Sequence, residues 1–355
     1  MILLTDIKPL FYINLLFGNP PHVIFNNSFA ITKLGSICSL LWSSVFLCYG
    51  YKKTLYIVND ANEIRSLILK VFRLFLVLLC IFNNVVVGYY SHKKLCCVTD
   101  NLRSYDLATK IGHTGNRRIR YTMWTLVTVR IICCIIVGYT YHLYHEHDFL
   151  ILFRMIEVAC FFLQIDKFMG IVLLLYSRFR HLNELLLTND VRVNVHVRSD
   201  RGLRLQDAWW LHNCLMDAAE ILNSTYSMQL LFWITTITVN ITSRIYIISE
   251  AWSDEYISKF QDKFFTVYDI ITLVTLTTIC HVTADQANKS GPTIFSSSLA
   301  PSRKFGFATE NIEVGMYFKL RQLEFSTNGG SIRVNLPLLL SISAGITTFL
   351  VILSS

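Results

Sequence analysis

Three charged side chains stand inside segments that are otherwise apolar, and these are the residues of the sequence best able to do chemistry. Glu157, Arg244 and Asp269 each lie about five to seven residues from one end of such a segment. Ionisable groups are costly in an apolar medium, so they usually pair with one another or serve a function. Polar and aromatic residues accompany them: Tyr139, His142, Phe161, Tyr246 and Tyr268. We expect this set to form a pocket for a small organic ligand. The alternative is a set of ion pairs that ties the helices together.

A second pair of opposite charges lies deeper in the apolar segments. Arg130 and Asp166 stand at matching depths in neighbouring segments, and Lys167 follows directly. Matching depth predicts an ion pair between two helices. A proton or ion relay is the alternative, but it would need a transporter.

Other kinds of chemistry have no residues to carry them. The sequence contains no glycine-rich phosphate loop, no nucleophile elbow and no paired catalytic acids in a polar region, so we expect no enzymatic activity. His145 and His147 form an isolated His-x-His pair in the run HEHD, which we interpret as a hydrated loop. We predict no metal, no cofactor and no nucleic-acid partner.

The composition of the chain is typical of an integral membrane protein. Of its 355 residues, 53% are hydrophobic and 16% are charged, and the mean hydropathy is +0.45, whereas a soluble protein has about 25% charged residues. A helix of about 20 apolar residues spans the bilayer core. Seven segments approach this length: 29–50, 68–90, 121–144, 150–177, 226–249, 264–284 and 335–353. The sequence therefore predicts an all-α membrane protein with seven transmembrane helices.

Lysine and arginine are distributed unequally between the two sides of these segments. Twenty of them flank the side that holds the N-terminus, and five flank the other side. Because basic flanks remain in the cytoplasm, we predict an inverted topology, with the N-terminus inside and the C-terminus outside. Basic inner loops would also lie against anionic membrane lipid.

A helical pattern continues beyond the membrane ahead of the fifth segment. Leu211, Leu215, Ala219 and Leu222 form an apolar stripe in the run DAWWLHNCLMDAAEILNSTYSMQLLF. We predict one long helix that extends into the cytoplasm. A single domain over 1–355 is expected, with ligand-binding helices in 1–285, a cytoplasmic anchor segment in 286–334 and a last helix in 335–355.

Small and hydroxylated residues share one face of the seventh segment. Ala344, Thr348, Val351 and Ser355 recur at the spacing i, i+4, i+7 and i+11. Such a face suits either a water-filled pore or the close packing of helices. Val351 or Ile352 could form an apolar ring that gates a pore by dewetting.

Three stretches of the chain together resemble the insect gustatory receptors, which are relatives of the insect odorant receptors. The run FSTNGGSIRVN and the later TTFLVILSS are similar to the family pattern F-x-x-x-G-x-F-x-(I/L)-N followed by T-Y-L-V-I-L-x-Q-F. LLFGNPP near the N-terminus and LHNCLMDAAEILNSTYSMQLL before the fifth segment are weaker matches. Two features depart from the pattern: Phe349 replaces the usual tyrosine, and Ser354–Ser355 stands where an apolar residue and glutamine are usual.

The resemblance implies a ligand-gated channel for cations (Na, K and Ca), and because no acidic residue lies in the seventh segment, we expect it to be poorly selective. It implies a homotetramer, or a heteromer with related receptors, in which the seventh helices line the pore. The implied ligand is a tastant, either a bitter plant compound or a sugar, bound in the outer half of the helices. The implied location is the plasma membrane of a chemosensory neuron. A metabotropic receptor of the G-protein-coupled type and a small-solute transporter are the alternatives.

Overall fold

The computed structural model describes residues 8–16, 22–25, 28–31, 33–59, 64–109, 116–143, 148–187, 205–250, 256–298 and 309–354. Ten α-helices account for most of these residues: α1 (Lys8–Leu16), α2 (Lys33–Asn59), α3 (Ile64–Tyr90), α4 (His92–Thr109), α5 (Asn116–Leu143), α6 (Asp148–Leu187), α7 (Leu205–Glu250), α8 (Tyr256–Ser298), α9 (Thr309–Leu320) and α10 (Leu336–Ser354). Two antiparallel hairpins complete them: β1 (His22–Phe25) with β2 (Ser28–Ile31), and β3 (Ser326–Thr327) with β4 (Ile332–Arg333).

Each of the seven apolar segments of the sequence coincides with a helix, namely α2, α3, α5, α6, α7, α8 and α10. By length and apolar composition, five helices of the described residues are able to cross a membrane: α3, α5, α6, α7 and α8. Helix α10 contributes a shorter apolar stretch, Leu336–Ile352. The prediction of an all-α membrane fold is confirmed.

Three helices are far longer than a bilayer requires. Helices α6, α7 and α8 contain 40, 46 and 43 residues, which corresponds to about 60–70 Å at the α-helical rise. The bilayer core is about 30 Å thick, so each helix continues well outside it. The long helix predicted around the fifth segment is confirmed, because α7 is unbroken from Leu205 to Glu250.

Helix α6 is the centre of the bundle. Its sequence carries apolar residues on every side of the helix, as expected of a helix that is surrounded by protein. It packs against helices α1, α3, α5, α7 and α8. Of its apolar stretch, 94% is buried. Side chains at successive positions of α6 therefore contact different neighbouring helices.

Three helices, α1, α4 and α9, were not predicted from the sequence. Helix α4 packs on α7 through a buried stripe that includes Leu95, Val98 and Leu102. The stripe is hard to recognise in the sequence because charged residues lie directly beside its members, namely Lys94, Asp100 and Arg103. Helix α1 is only nine residues long, yet it buries Leu10 and Phe11 almost completely.

A tight hairpin precedes α10. Its turn places Asn328, Gly329 and Gly330 at φ angles of 39°, 69° and 104°, in the left-handed region that glycine adopts without a steric penalty. The amide of Val334 donates to the carbonyl of Phe325 at 2.7 Å and closes the hairpin. The two glycines of the NGG sequence are thus required by the backbone.

The residue after the hairpin caps α10. Asn335 accepts a hydrogen bond through Oδ1 from the amide of Leu338 at 3.3 Å, as an N-cap asparagine does. Pro337 lies in the first turn, where its missing N–H has no helical partner to lose. The start of α10 is therefore fixed by local sequence.

Candidate functional site

The guanidinium of Arg130 lies at the centre of a buried cluster between α5, α6 and α8. Its Nε and Nη2 donate to the two carboxylate oxygens of Asp166, each at 2.8 Å. Nη1 donates to the hydroxyl of Thr272 at 3.3 Å. The cation also lies between two aromatic rings, 4.8 Å from the centroid of Phe162 and 4.7 Å from that of Tyr268. Every face of the cation is thus occupied by a favourable partner.

Tyr268 connects this ion pair to the set of residues predicted as a ligand pocket. Its ring meets Phe162 edge-on at 4.5 Å and stacks on Phe264 at 6.3 Å between centroids. Phe161 is buried and contacts Phe162 at 5.1 Å. The rings of Phe162 and Tyr268 therefore cover the Arg130–Asp166 pair. The positions of these residues along their helices did not predict this contact.

Asp269, the residue after Tyr268, forms a second buried ion pair. Arg244 of α7 donates through Nη1 to its Oδ2 at 2.5 Å, and Nε of the same arginine lies 3.8 Å from Asp262. The guanidinium also lies 4.8 Å from the ring centroid of Phe265. Arg73 of α3 acts electrostatically on the same carboxylate. Helices α3, α7 and α8 are therefore connected by charge at this position.

Glu157 forms a third cluster, and its partners were not foreseen. Its carboxylate accepts from Arg154 at 2.7 Å and from the hydroxyl of Tyr49 at 3.1 Å, and Lys53 lies at 3.6 Å. Tyr49 and Lys53 belong to α2, so the cluster joins α2 to α6. Arg154 could have been found from its i, i+3 spacing to Glu157, which places both on one face of the helix.

The remaining residues of the predicted pocket are not brought into one place. Tyr246 is buried in α7, whereas Tyr139 is 64% exposed on α5. The side chain of His142 lies outside the part that the structure describes. Glu157, Tyr268 and Asp269 thus belong to three separate ion-pair clusters, and the carboxylates of Glu157 and Asp269 each have a basic partner.

A network of amides, also unforeseen, lies between α3, α6 and α7. Asn83 donates to the side-chain oxygen of Gln229, and Gln229 donates to the carbonyl of Cys80 at 3.1 Å and to Gln164 at 3.4 Å. Amides buried in an apolar bundle need such partners.

Helix α10 packs through one face and exposes the opposite one. Leu338, Leu339, Ile342 and Ile346 pack against the core, next to α7 and α8. On the opposite side, Ala344 and Thr348 are exposed, and Val351 and Ile352 are each 63% exposed; Ser355 lies outside the described residues. Ala344, Thr348 and Val351, whose spacing suggested a pore face, are therefore among the exposed residues of α10.

The hydroxyls of this exposed face are bonded to their own helix. Thr348 donates to the carbonyl of Ala344 at 2.9 Å, and Thr347 donates to that of Ser343 at 2.9 Å. Each hydroxyl hydrogen is thereby satisfied within the helix. The oxygen lone pairs remain directed outward, where they can accept from water or contact a cation.

A separate polar junction ties α7 to the segment after α9. Arg321 donates to Glu220 at 2.8 and 2.7 Å and to Asp217 at 2.5 Å, and it also bonds to Asn213. His212 lies next to it, with Nδ1 at 3.1 Å from the hydroxyl of Tyr317 and Nε2 at 3.1 Å from the carbonyl of Ala287. These contacts join α7, α8 and α9.

The charge state of His212 follows from its burial. Nε2 faces a carbonyl oxygen and therefore carries the proton, so Nδ1 accepts from Tyr317. Burial lowers the pKa of His212 to about 4, and the nearby Arg321 adds to the effect, while the bond to Ala287 opposes it. The histidine is neutral at physiological pH. In the described residues, no three His, Cys, Asp or Glu side chains come together as a metal site would need.

Comparison with known proteins identifies the family. The sequence profile of the family described as 7tm chemosensory receptor matches residues 7–354. The solved structure of the insect olfactory receptor OR5 from Machilis hrabei is similar, with a TM-score of 0.72 and 12% identity over 98% of this chain and 97% of that one. The same receptor in complex with eugenol has a TM-score of 0.71 and 13% identity over 99% and 98%. No curated protein sequence matches the chain significantly.

The two kinds of match agree. The profile covers nearly every residue, and the structural likeness extends over both chains from end to end. The family is one of receptors and not of enzymes. The chain therefore belongs to the 7tm chemosensory receptor family, as a multi-pass membrane protein, and shares the fold of the olfactory receptor OR5.

Proposed function

We propose that this protein is a ligand-gated cation channel whose pore is lined by α10. The observation that carries the proposal is the exposed face of that helix, where Ala344, Thr348 and Val351 lie opposite the packed residues. In the described residues of one chain these side chains are exposed, whereas the opposite face of the helix packs against α7 and α8. Several copies arranged with these faces inward would enclose a hydroxylated conduit.

Two apolar side chains are suited to close that conduit. Val351 and Ile352 lie in the last turns of α10 and are mostly exposed in the single chain. A ring of such side chains excludes water when the helices approach and admits it when they separate. No acidic residue lies in α10, so we propose a pathway of low selectivity among Na, K and Ca ions.

The proposed ligand is a small organic compound. The related olfactory receptor OR5 is described in complex with eugenol, a precedent for a small organic ligand. In this chain the aromatic residues Phe161, Phe162 and Tyr268 lie beside two ion pairs, which offers both apolar surface and hydrogen-bonding groups. We propose a gustatory role, with a bitter plant compound or a sugar as the ligand. Ligand binding would open the pore by its higher affinity for the open state.

The assembly that we propose is a homotetramer, or a heteromer with related receptors, in the plasma membrane. Its contacts would include the outer surface of α7 and α9, where Trp209, Met316 and Leu320 are 37%, 57% and 75% exposed. Large apolar side chains exposed together outside a membrane span suit an interface between subunits. The proposed orientation keeps this region in the cytoplasm and places α10's end outside.

The proposal can be tested by recording currents from oocytes that express this chain alone. Eugenol, caffeine and sucrose would be applied in turn, with GDP-β-S injected to block G-protein signalling. We expect one of these compounds to evoke a cation current that persists under GDP-β-S. A current abolished by GDP-β-S would favour a metabotropic receptor, and saturable uptake of the compound without conductance would favour a transporter.

A further inference from the structure

Helices α3 and α4 follow one another almost without a break. The amide of Ser91 donates to the carbonyl of Val87, and the amide of Leu95 donates to the carbonyl of Ser91, each at 2.9 Å. Helical hydrogen bonding therefore continues through the residue that separates the two helices. The part of α3 that is able to span a membrane ends at Tyr90, so α4 leaves the apolar span along the same helical path.

One face of this continuous helix passes from an apolar to a polar environment. Val86, Tyr90, Lys93 and Cys97 recur at the spacing i, i+4, i+7 and i+11, which places them on one side of the helix. All four are exposed, Val86 by 50% and Tyr90 by 86%. Exposed apolar residues inside a span indicate the face that meets lipid. Cys97 lies on this same face, about 10 Å beyond Tyr90 at the α-helical rise.

The thiol of Cys97 is more accessible than that of its neighbour. Cys97 is exposed, whereas Cys96 is only partly exposed and its sulfur lies 3.8 Å from Nε2 of His92. The other exposed cysteine of the described residues, Cys48, lies within the apolar run of α2. Cys97 is therefore an exposed thiol just outside an apolar span.

The residues around Cys97 are those of a membrane boundary. Tyr89 and Tyr90 end the apolar part of α3, and tyrosine is enriched at the level of the lipid headgroups. Lys93 and Lys94 follow them and are exposed, and Lys94 also donates to the hydroxyl of Ser224 at 3.4 Å. Lysines at this level attract anionic headgroups. The thiol thus lies within reach of an amphiphile that is held at the membrane surface.

We propose that Cys97 is a site of S-acylation by a long-chain acyl group, a modification that juxtamembrane cysteines accept. The sulfur of Cys97 attacks the carbonyl carbon of a long-chain acyl-coenzyme A. A thioester bond to Cys97 forms, and the thioester bond to coenzyme A breaks. Coenzyme A leaves as a thiol, with the proton that Cys97 gives up. The attached chain lies in the lipid beside Val86 and Tyr90 and holds the start of α4 at the membrane.

The experiment measures thioesters on the full-length chain after its expression in insect cells. Free thiols are blocked with N-ethylmaleimide, thioesters are cleaved with hydroxylamine, and the thiols released are tagged with a polyethylene glycol maleimide that retards the chain on a gel. We expect one tag per modified chain, and only after hydroxylamine. A chain that carries no hydroxylamine-dependent tag would overturn the proposal.

Substitutions then locate the acyl group. We expect Cys97→Ser to lower the tagged fraction at least tenfold, and Cys97→Ala provides a second variant with the same expected loss. Cys96→Ser and Cys48→Ser are the matched controls, and both should retain the tag. A tag that persists in the Cys97 variants, or that is lost in Cys96→Ser, would overturn the assignment to Cys97.

A membrane-impermeant maleimide, applied to intact cells, separates this proposal from the proposed orientation on which it rests, since acyl-coenzyme A is supplied from the cytoplasm. We expect no difference in labelling between wild type and Cys97→Ser. Labelling of Cys97 from outside would overturn the orientation and the acylation together. A chain with neither this label nor the hydroxylamine-dependent tag would overturn the acylation alone.

Discussion

Arg130 is a buried charge whose partners lie on two other helices. It contacts Asp166, Thr272 and the rings of Phe162 and Tyr268, so helices α5, α6 and α8 all meet at one side chain. Removing one member of a buried ion pair leaves the other without compensation. The cost then exceeds what the pair contributed.

Asp166→Asn tests this directly. We expect the unfolding free energy to fall by about 3–5 kcal/mol, because Arg130 would remain buried and charged without its carboxylate. The measurement is the thermal midpoint of the purified protein, together with its yield in membranes. Replacing both partners, Arg130→Met with Asp166→Leu, should recover most of the loss.

The matched control lies on the same helix. Glu184 accepts from Arg180 at 2.8 Å, but both side chains are more than half exposed. Glu184→Gln should therefore change the midpoint by only a few tenths of a kcal/mol. Equal losses at Asp166 and Glu184 would mean that burial does not set the strength of the first pair.

The lowered pKa of His212, at the junction of α7, α8 and α9, predicts how the stability of the protein depends on pH. Its pKa is lowered from 6.5 in the unfolded chain to about 4 in the folded protein, so the unfolded state binds the proton first. Stability is full above pH 6.5 and decreases as the pH falls from 6.5 towards 4. The loss attributable to this group is up to about 3 kcal/mol.

The measurement compares wild type with His212→Gln between pH 7.5 and 4. Both proteins should lose stability in acid through their other groups, but the variant should lose less. Parallel curves for the two proteins would show that His212 does not titrate in this window.

At the scale of elements, the sequence was informative about long apolar helices and uninformative about short ones. Apolar runs of 19 residues or more predicted the seven principal helices, and the apolar stripe from Leu211 to Leu222 predicted the extension of α7, because it leads directly into the fifth run. Helices α1, α4 and α9 have 9, 18 and 12 residues. Their stability comes from packing against α6 and α7 more than from local propensity, and packing is not visible in a linear pattern.

The candidate site shows the same division. Matching depth related Arg130 to Asp166, because depth is encoded by position along a helix. Glu157 is partnered by Tyr49 and Lys53 of α2, and this contact depends on which face α2 turns towards α6. Rotation of a helix about its axis is fixed by packing, so periodicity in α2, which exposes apolar residues on much of its surface, could not reveal it.

Helix α10 carries the prediction for the pore. Thr348→Trp would place a large ring on the face opposite the packing residues. We expect ligand-evoked current to fall at least tenfold with surface expression unchanged, because the ring would obstruct the conduit. The control is Phe349→Trp, at an exposed position of α10 that lies at the same depth but about 100° round the helix, and we expect it to retain most of the current. An unchanged current in Thr348→Trp would exclude this face as the pore lining.

The orientation of the whole molecule is a further prediction. We expect an epitope tag after Ser355 to be stained in intact cells and a tag before Met1 to need permeabilisation. Asn223 lies in a glycosylation sequon, but its side chain holds β3 by accepting from the amide of Ser326 at 3.0 Å. We expect no glycan there. A glycan on Asn223, or the opposite staining pattern, would reverse the topology.

The proposed channel requires that several chains share a central conduit. The most direct measurement is an experimental density map of the purified protein in lipid nanodiscs. We predict four copies around a symmetry axis, with α10 of each copy nearest the axis and Thr348 directed towards it. A map in which the exposed face of α10 contacts lipid, or in which the protein is a monomer, would contradict the account.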